Sequence, residues 1–262
     1  MPEDILVARK DGVATITFNR PDQRNAINYE GWLELKRIVT VLDDEPDLKV
    51  VVLTGAGEQA FSAGADIKDF DRHRKNSSEA RTYAAAFDGA MDALEALSKP
   101  TICLIKGFCI GGGCELSMAA DLRIAADNSK FGIPVAKLGI LVGYREMRRL
   151  VNLVGPGNAS YVLMSGRILG PGEALRMGLV NEVVPLADID EYVYELACEM
   201  APLAPLSQAR HKRILQSVLA NPSLERLTAG EEELPFTNFD SEDFQEGRRA
   251  FIERRTPRFK GR

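Results

Sequence analysis

The stretch CIGGGCELSMAADL, residues 109–122, sets Gly111, Gly112 and Gly113 directly before a cysteine, a glutamate and an amphipathic run. Consecutive glycines in such a place mark a backbone that something approaches too closely for a Cβ. The stretch lies between two short apolar runs, TICLIKG (101–107) and DLRIAAD (121–127). Working outward, the order is therefore strand, glycine loop, helix, strand.

The same order occurs upstream. KVVVLTG (49–55) reads as a buried strand, AGEQAFSAGADIKDF (56–70) is a second glycine-rich loop, and NSSEARTYAAAFDGAMDALEALSKP (76–100) is a long helix. Tyr83, Phe87, Ala90, Met91, Leu94 and Leu97 recur on that helix at core-facing spacing, and Lys99-Pro100 ends it. Nearer the start, ATITFNR alternates as a strand, and Asn28 caps a helix whose inner face is Trp32, Leu35, Ile38, Val39 and Leu42. Repeated units of this kind predict an α/β fold of strand-strand-helix turns stacked beside one another. Beyond Tyr144 the chain turns mostly helical, as an end region that supplies subunit contacts often is.

The 262 residues, 45% of them hydrophobic, can bury one sizeable core. A net charge of −5 excludes general attraction to nucleic acid or to an anionic membrane, although RRAFIERRTPRFKGR forms a basic tail. MPEDILVARKDG lacks the apolar centre of a signal peptide and no apolar run is long enough to span a bilayer, so a cytoplasmic location is expected. Cys103, Cys109, Cys114 and Cys198 form no CxxC pair, and His73 and His211 are the only histidines; no metal site or disulfide framework is expected, and the thiols read as buried and free. His73 reads as exposed and Trp32 as a core residue.

Glycine loops after strands commonly hold phosphates, but GxxxxGK[ST] is absent and neither Gly111 nor Gly113 begins a complete GxGxxG. The other use of such loops is to aim backbone N–H groups at a developing oxyanion, each donor lowering a barrier by roughly 3–4 kcal/mol. AFSAGAD and IGGGCE both follow strands, so one donor from each could meet a single carbonyl oxygen. The alternative is that the glycines only permit tight helix-strand packing.

Taken together, NRPDQRNAI, FSAGADIKDF, KGFCIGGGCELSMAADLRIAADNSKFGIP, EALRMGLVNEVVP and EGRRAFIERRTPRF resemble the signature segments of the crotonase (enoyl-CoA hydratase/isomerase) superfamily across nearly the whole chain. The resemblance implies a crotonase-like superhelix of strand-strand-helix repeats spanning residues 1–195, and a helical C-terminal trimerisation region, 196–262, in a homotrimer or homohexamer. It implies an acyl-CoA thioester substrate, with no cofactor beyond the coenzyme A moiety and no nucleic-acid or membrane partner. Ala65 and Gly112 become the donors that hold a thioester enolate, and Glu115 the catalytic acid/base. Ala63, Ala65, Asp66, Ile67 and Lys68 would line the adenine and pantetheine, with Arg24 near the phosphates. Arg254 is similar in position to a lysine that reaches a neighbouring subunit's coenzyme A in some relatives; the other reading of the tail is a solvated cationic face.

Hydratases of the superfamily carry a second glutamate after the FGxP motif, and that position here is Val135, which can neither activate water nor deliver a proton. The chain then reads GILVGYREMRRL, where Gly143 and Tyr144 are taken as acyl-CoA contacts. Tyr144 or Glu146 could restore a proton donor and Arg145 could pair with a carboxylate on the acyl group; the simpler reading puts Tyr144, Arg145 and Glu146 in solvent at a helix start. Three functions stay open. The first is a lyase of the enoyl-CoA hydratase type in fatty acid metabolism. The second is a malonyl-type acyl-CoA decarboxylase or other enolate-forming member using Glu115 alone. The third is a non-catalytic acyl-CoA-binding scaffold.

Overall fold

A computed structural model describes residues 3–262. Strands β1 (Ile5–Lys10) and β2 (Val13–Phe18) form an antiparallel hairpin whose turn residues, Asp11 and Gly12, have φ of 51° and 78°. That positive-φ pair suits the right-handed twist of the strands. Helix α1 (Tyr29–Asp43) begins where the Asn28 side chain accepts from Gly31 N at 2.7 Å. β3 (Val50–Gly55) follows, then β4 (Ala60–Ser62), the short α2 (Phe70–His73) and α3 (Ser77–Ala96), which Asn76 caps.

The order then repeats with β5 (Thr101–Ile105), β6 (Phe108–Ile110) and α4 (Gly112–Ser117), and again with β7 (Leu122–Ala126), β8 (Lys130–Gly132) and α5 (Tyr144–Ser165). Each turn sends one strand to each of two sheets. The larger sheet has the order β1-β2-β3-β5-β7-β9, closed by β9 (Glu182–Val184), and only the β1–β2 pair is antiparallel. The smaller has the order β4-β6-β8, all parallel. α6 (Pro171–Met177) precedes β9, and α7 (Ile189–Met200), α8 (Pro205–Ala220), α9 (Ala229–Thr237) and α10 (Glu242–Glu253) complete the chain.

The run VVVL in β3 is continuous because both faces of the strand are covered. Val51 and Leu53 pack with α1 and α3 side chains, while Val50 and Val52 pack with Ile189, Val193 and Ala197 of α7. Trp32 Nε1 donates to the Tyr83 hydroxyl at 2.9 Å and so ties α1 to α3; burial pushes that hydroxyl's pKa up to about 12.

The expected α/β architecture and helical last third are both present. Three details differ from the sequence reading, while the break within α5 agrees with it. α4 stops at Ser117 instead of continuing through Ala120. The helical segments expected either side of Gly155 are both present within α5 and are separated by a kink, because Gly155 takes a non-helical φ of 73° and Pro156 restarts the turn. Cys198 is exposed while Cys103, Cys109 and Cys114 are buried. His73 is half-buried, its ring stacked on Tyr29 at 4.5 Å. Among the described residues no helix is long and apolar enough to cross a membrane.

Leu53→Ala should cost about 2–5 kcal/mol, because the strand is fixed on both sides and the cavity cannot collapse. Urea unfolding of the full chain measures this, and a change under about 1 kcal/mol would contradict the packing described.

Candidate active site

Two loops leave the same end of the smaller sheet, one after β4 and one after β6. The first is held by the turn at Arg24 and Asn25. Asn25 is buried in a left-handed conformation (φ 54°), and its Nδ2 donates to the carbonyls of Ala60 (2.7 Å) and Ala56 (3.1 Å). Ser62 Oγ donates to Asn25 O at 2.8 Å and accepts from Gly64 N at 3.1 Å. Further bonds run from Ala63 N to Arg24 O, from Ile27 N to Gly64 O and from Asp66 N to Ile27 O, each of 2.8–2.9 Å.

Gly64 has φ +90°, and a Cβ there would stand 2.6 Å from Gly112 N and 2.7 Å from Ile110 O. No side chain fits between the two loops. A Cβ on Gly112 would in turn lie 3.2 Å from Ala65 N, so the amides of Ala65 and Gly112 adjoin. Among the described residues neither amide has a hydrogen-bond acceptor, although those of Gly64, Asp66 and Gly111 beside them are paired.

A cavity of ≈ 320 Å³ opens beside these amides. Ala63 and Ala65 form one edge, Phe87 and Asp88 of α3 a second wall, and Pro134, Val135 and Gly143 a third. Glu115, in the first turn of α4, projects into it and is only 6% exposed. Burial pushes its carboxyl up to about 8; the charges of Glu146 and Asp88 raise it further and Arg74 opposes them. Arg74 lines the cavity with its guanidinium over the rings of Phe70 and Tyr83, 4.7 Å from each.

Glu146 also lines the cavity and is 4% exposed. It is the residue that the simpler sequence reading misplaced in solvent. Helical phase explains the correction: Glu146 lies four residues before Leu150 and eight before Val154, both buried on α5. Tyr144, expected as an acyl-CoA contact, is instead 97% exposed on the opposite side of the helix, and Arg145 pairs with Asp92. Burial again raises the Glu146 carboxyl; its own backbone amide opposes the rise, the charge of Asp88 adds to it and Arg149 lowers it.

The remaining expected residues divide. Val135, Ile67 and Gly143 line the cavity with Ala63. Asp66 is buried and turned to structural work, pairing with Arg20 Nη2 at 2.9 Å and accepting from Lys68 N at 3.1 Å. Lys68 is exposed outside the lining, as is Arg24, whose guanidinium lies 4.7 Å over the Phe108 ring. Arg254 is exposed at the end of α10, away from the lining. Sequence reasoning missed Arg74 and Asp88 as cavity residues, together with the anchoring part of Asn25, and it offered Glu146 as a proton donor only as the alternative to solvent exposure.

The profile of the family described as "Enoyl-CoA hydratase/isomerase" matches residues 8–262. A crotonyl-CoA hydratase from Syntrophomonas wolfei is 35% identical over 98% of both chains. A carnitinyl-CoA dehydratase from Escherichia coli is 36% identical over the full length of both. Among solved structures, an enoyl-CoA hydratase/carnithine racemase from Magnetospirillum magneticum superimposes with a TM-score of 0.95 at 34% identity, covering 100% of this chain and 97% of that one. With its two largely parallel sheets and the adjoining amides of its two loops, this chain belongs to the enoyl-CoA hydratase/isomerase family.

Proposed function

We propose that the protein is a lyase that adds water to an α,β-unsaturated acyl-CoA thioester, or removes it from the hydrated product. The observation that carries this reading is the adjoining pair of unpaired amides, Ala65 and Gly112, beside the buried carboxyl of Glu115. Two N–H donors on the thioester oxygen favour the enolate over the neutral carbonyl, since charge gathers on that oxygen as the reaction proceeds. Because the loops are locked by Asn25, Ser62 and Gly64, the donors need no reorganisation when the charge appears. With its pKa raised to about 8, Glu115 holds a proton at neutral pH and can exchange it with the substrate.

The relatives named as crotonyl-CoA hydratase and carnitinyl-CoA dehydratase support an acyl-CoA substrate for this chain as well. A decarboxylase or scaffold reading depended on a pocket with Glu115 as its only carboxylate, and Glu146 and Asp88 in the same lining weaken it. No cofactor beyond the substrate's coenzyme A enters this scheme. For residues 196–262 the reading is a self-association region, supported by large apolar side chains left in solvent, such as Phe236 (65%) and Phe251 (87%).

Crotonyl-CoA hydration, followed by loss of the enoyl absorbance, should be measurable and should fall by about 10²-fold or more in Glu115→Gln. Gly64→Ala should lower kcat by a similar 10²–10³-fold by displacing the Ala65 amide from that of Gly112. An inactive wild type, or a Gly64→Ala protein with full activity, would remove the basis of the proposal.

A second measurement needs no substrate. Glu115 ionises near 4.5 in the unfolded chain and near 8 in the folded one, so between those values the folded protein binds the extra proton. Stability therefore falls as pH rises through that window and levels off above it. Glu115→Gln removes the titration, so urea unfolding should show the variant gaining on wild type from about pH 5 to about pH 9. A constant difference would place the Glu115 carboxyl in an ordinary environment. Light scattering should give three or six times the monomer mass; a monomer would contradict the association assigned to 196–262.

A further inference from the structure

From the geometry of the first turn of α5 we infer that Glu146 is the second acid–base residue, supplying from a helix the carboxyl that position 135 lacks. The inference rests on the acyl-CoA reading of the cavity and adds to it a residue that no motif marks. Val135 stands on the cavity wall with no polar atom to offer. Glu146 enters the same space, and its location is built rather than incidental.

Three features fix it there. One carboxylate oxygen, Oε1, lies 3.4 Å from Arg149 Nη1. Arg149 is itself buried and held at 2.7 Å by both Asp92 and Glu95 of α3, so the anchor cannot swing away. The other oxygen, Oε2, occupies the space that a Cβ on Gly143 would need, and Gly143 lines the cavity. Gly143 thus leaves room for the carboxyl where it lies, and a methyl there would make it shift.

The charged groups around Glu146 come from every element packed against it: Asp88 from α3, Glu115 from α4, Arg149 from α5 itself, and Arg74 beside Glu115. Glu115 and Glu146 face one closed space beside the further negative charge of Asp88, so burial and like charge oppose full ionisation of the two and favour keeping a proton between them. One acid and one base is what water addition requires. The base member takes a proton from water as the water oxygen bonds to Cβ, and the Cα=Cβ electron pair moves toward the thioester, leaving the enolate oxygen between Ala65 and Gly112. The acid member then gives its proton to Cα as the carbonyl re-forms. One proton has been taken and one given, and the pair resets by exchanging it between the two carboxyls.

The test is the pH dependence of crotonyl-CoA hydration in wild type, Glu115→Gln, Glu146→Gln and Glu146→Asp, each checked for folding by circular dichroism. Glu146→Gln should lose about 10²–10⁴-fold in kcat with KM within about threefold, and its residual activity should lose one limb of the bell-shaped profile. A residue that only braced Arg149 would leave both limbs in place. Glu146→Asp keeps the charge opposite Arg149 but draws it back by one methylene, so it should fold even where the glutamine variant does not, and should lose about tenfold or more in kcat. Wild-type kcat and a two-limbed profile in either folded variant would overturn the assignment, with Glu115→Gln inactive in the same assay showing that the acyl-CoA reading stands. A wild type that does not hydrate crotonyl-CoA would overturn that reading and this inference together.

Discussion

The close approach of two backbones, Ser62–Ala65 and Ile110–Gly113, is the constraint on which the site depends. Parallel pairing of β4 with β6, with Ser62 beside Cys109, brings both strands out at the same end of the smaller sheet. The loops that follow must then lie side by side. Whether they touch is decided by side-chain volume, and at Gly64 there is none to keep them apart. An alanine at Gly64 or Gly113 would substitute methyl-to-backbone contact for this close approach. The larger sheet takes no part in the site directly; its two-sided core holds β3, β5 and β7 rigid so that the smaller sheet is held in place.

Around this backbone junction the structure places charges where burial makes them costly. Arg123, 3% exposed, donates to the carbonyls of Leu179 (2.9 Å), Ala120 (2.7 Å) and Ser117 (3.3 Å), and so steadies the end of the short α4 that carries Glu115. Arg149 does the same for the start of α5, but through carboxylates. Removing one partner from such a cluster strands the others without solvent, so these arginines are anchors whose loss affects everything they hold. Arg74 differs: its guanidinium rests on aromatic faces and makes no ion pair among the described residues, which leaves it able to adjust to what enters the cavity.

Most of the fold was legible because apolar phase is unambiguous in elements such as β3 and α3. The glycine loops were legible for a related reason, since a missing Cβ is visible in sequence and its consequence is steric. The site was only half legible. Ala65, Gly112 and Glu115 sit in or just after the loops that the pattern marks, and all three line one cavity. The first turn of α5, YREM, carries charge at adjacent positions, and charge was weighed as a sign of exposure. Phase was the better guide, because counting back in fours from Val154 through Leu150 reaches Glu146. Tyr144, two residues away and so about 200° around the helix, must then face out. Arg24, Lys68 and Arg254 were placed by resemblance alone, and nothing in their local pattern says which way they point.

The exchange of position 135 for position 146 also says something about what such a site demands. Residue 135 belongs to the short 3-10 turn Val135–Leu138, whose later residues are exposed, whereas Glu146 stands in the first turn of a long helix. A carboxyl on the turn is positioned by a segment with little packed against it. A carboxyl on α5 is positioned by Arg149, and through Arg149 by Asp92 and Glu95 on α3, the helix that also supplies Asp88 and Phe87 to the cavity. The oxygens come from different points in the chain but reach the same enclosed space, because the turn and the helix start form one continuous wall. Chemistry at the substrate depends on where a proton can be held, not on which residue number holds it. Glu146 held from α5, with Val135 apolar beside it, leaves that wall able to pack against an acyl chain where a glutamate on the turn would have met it with charge.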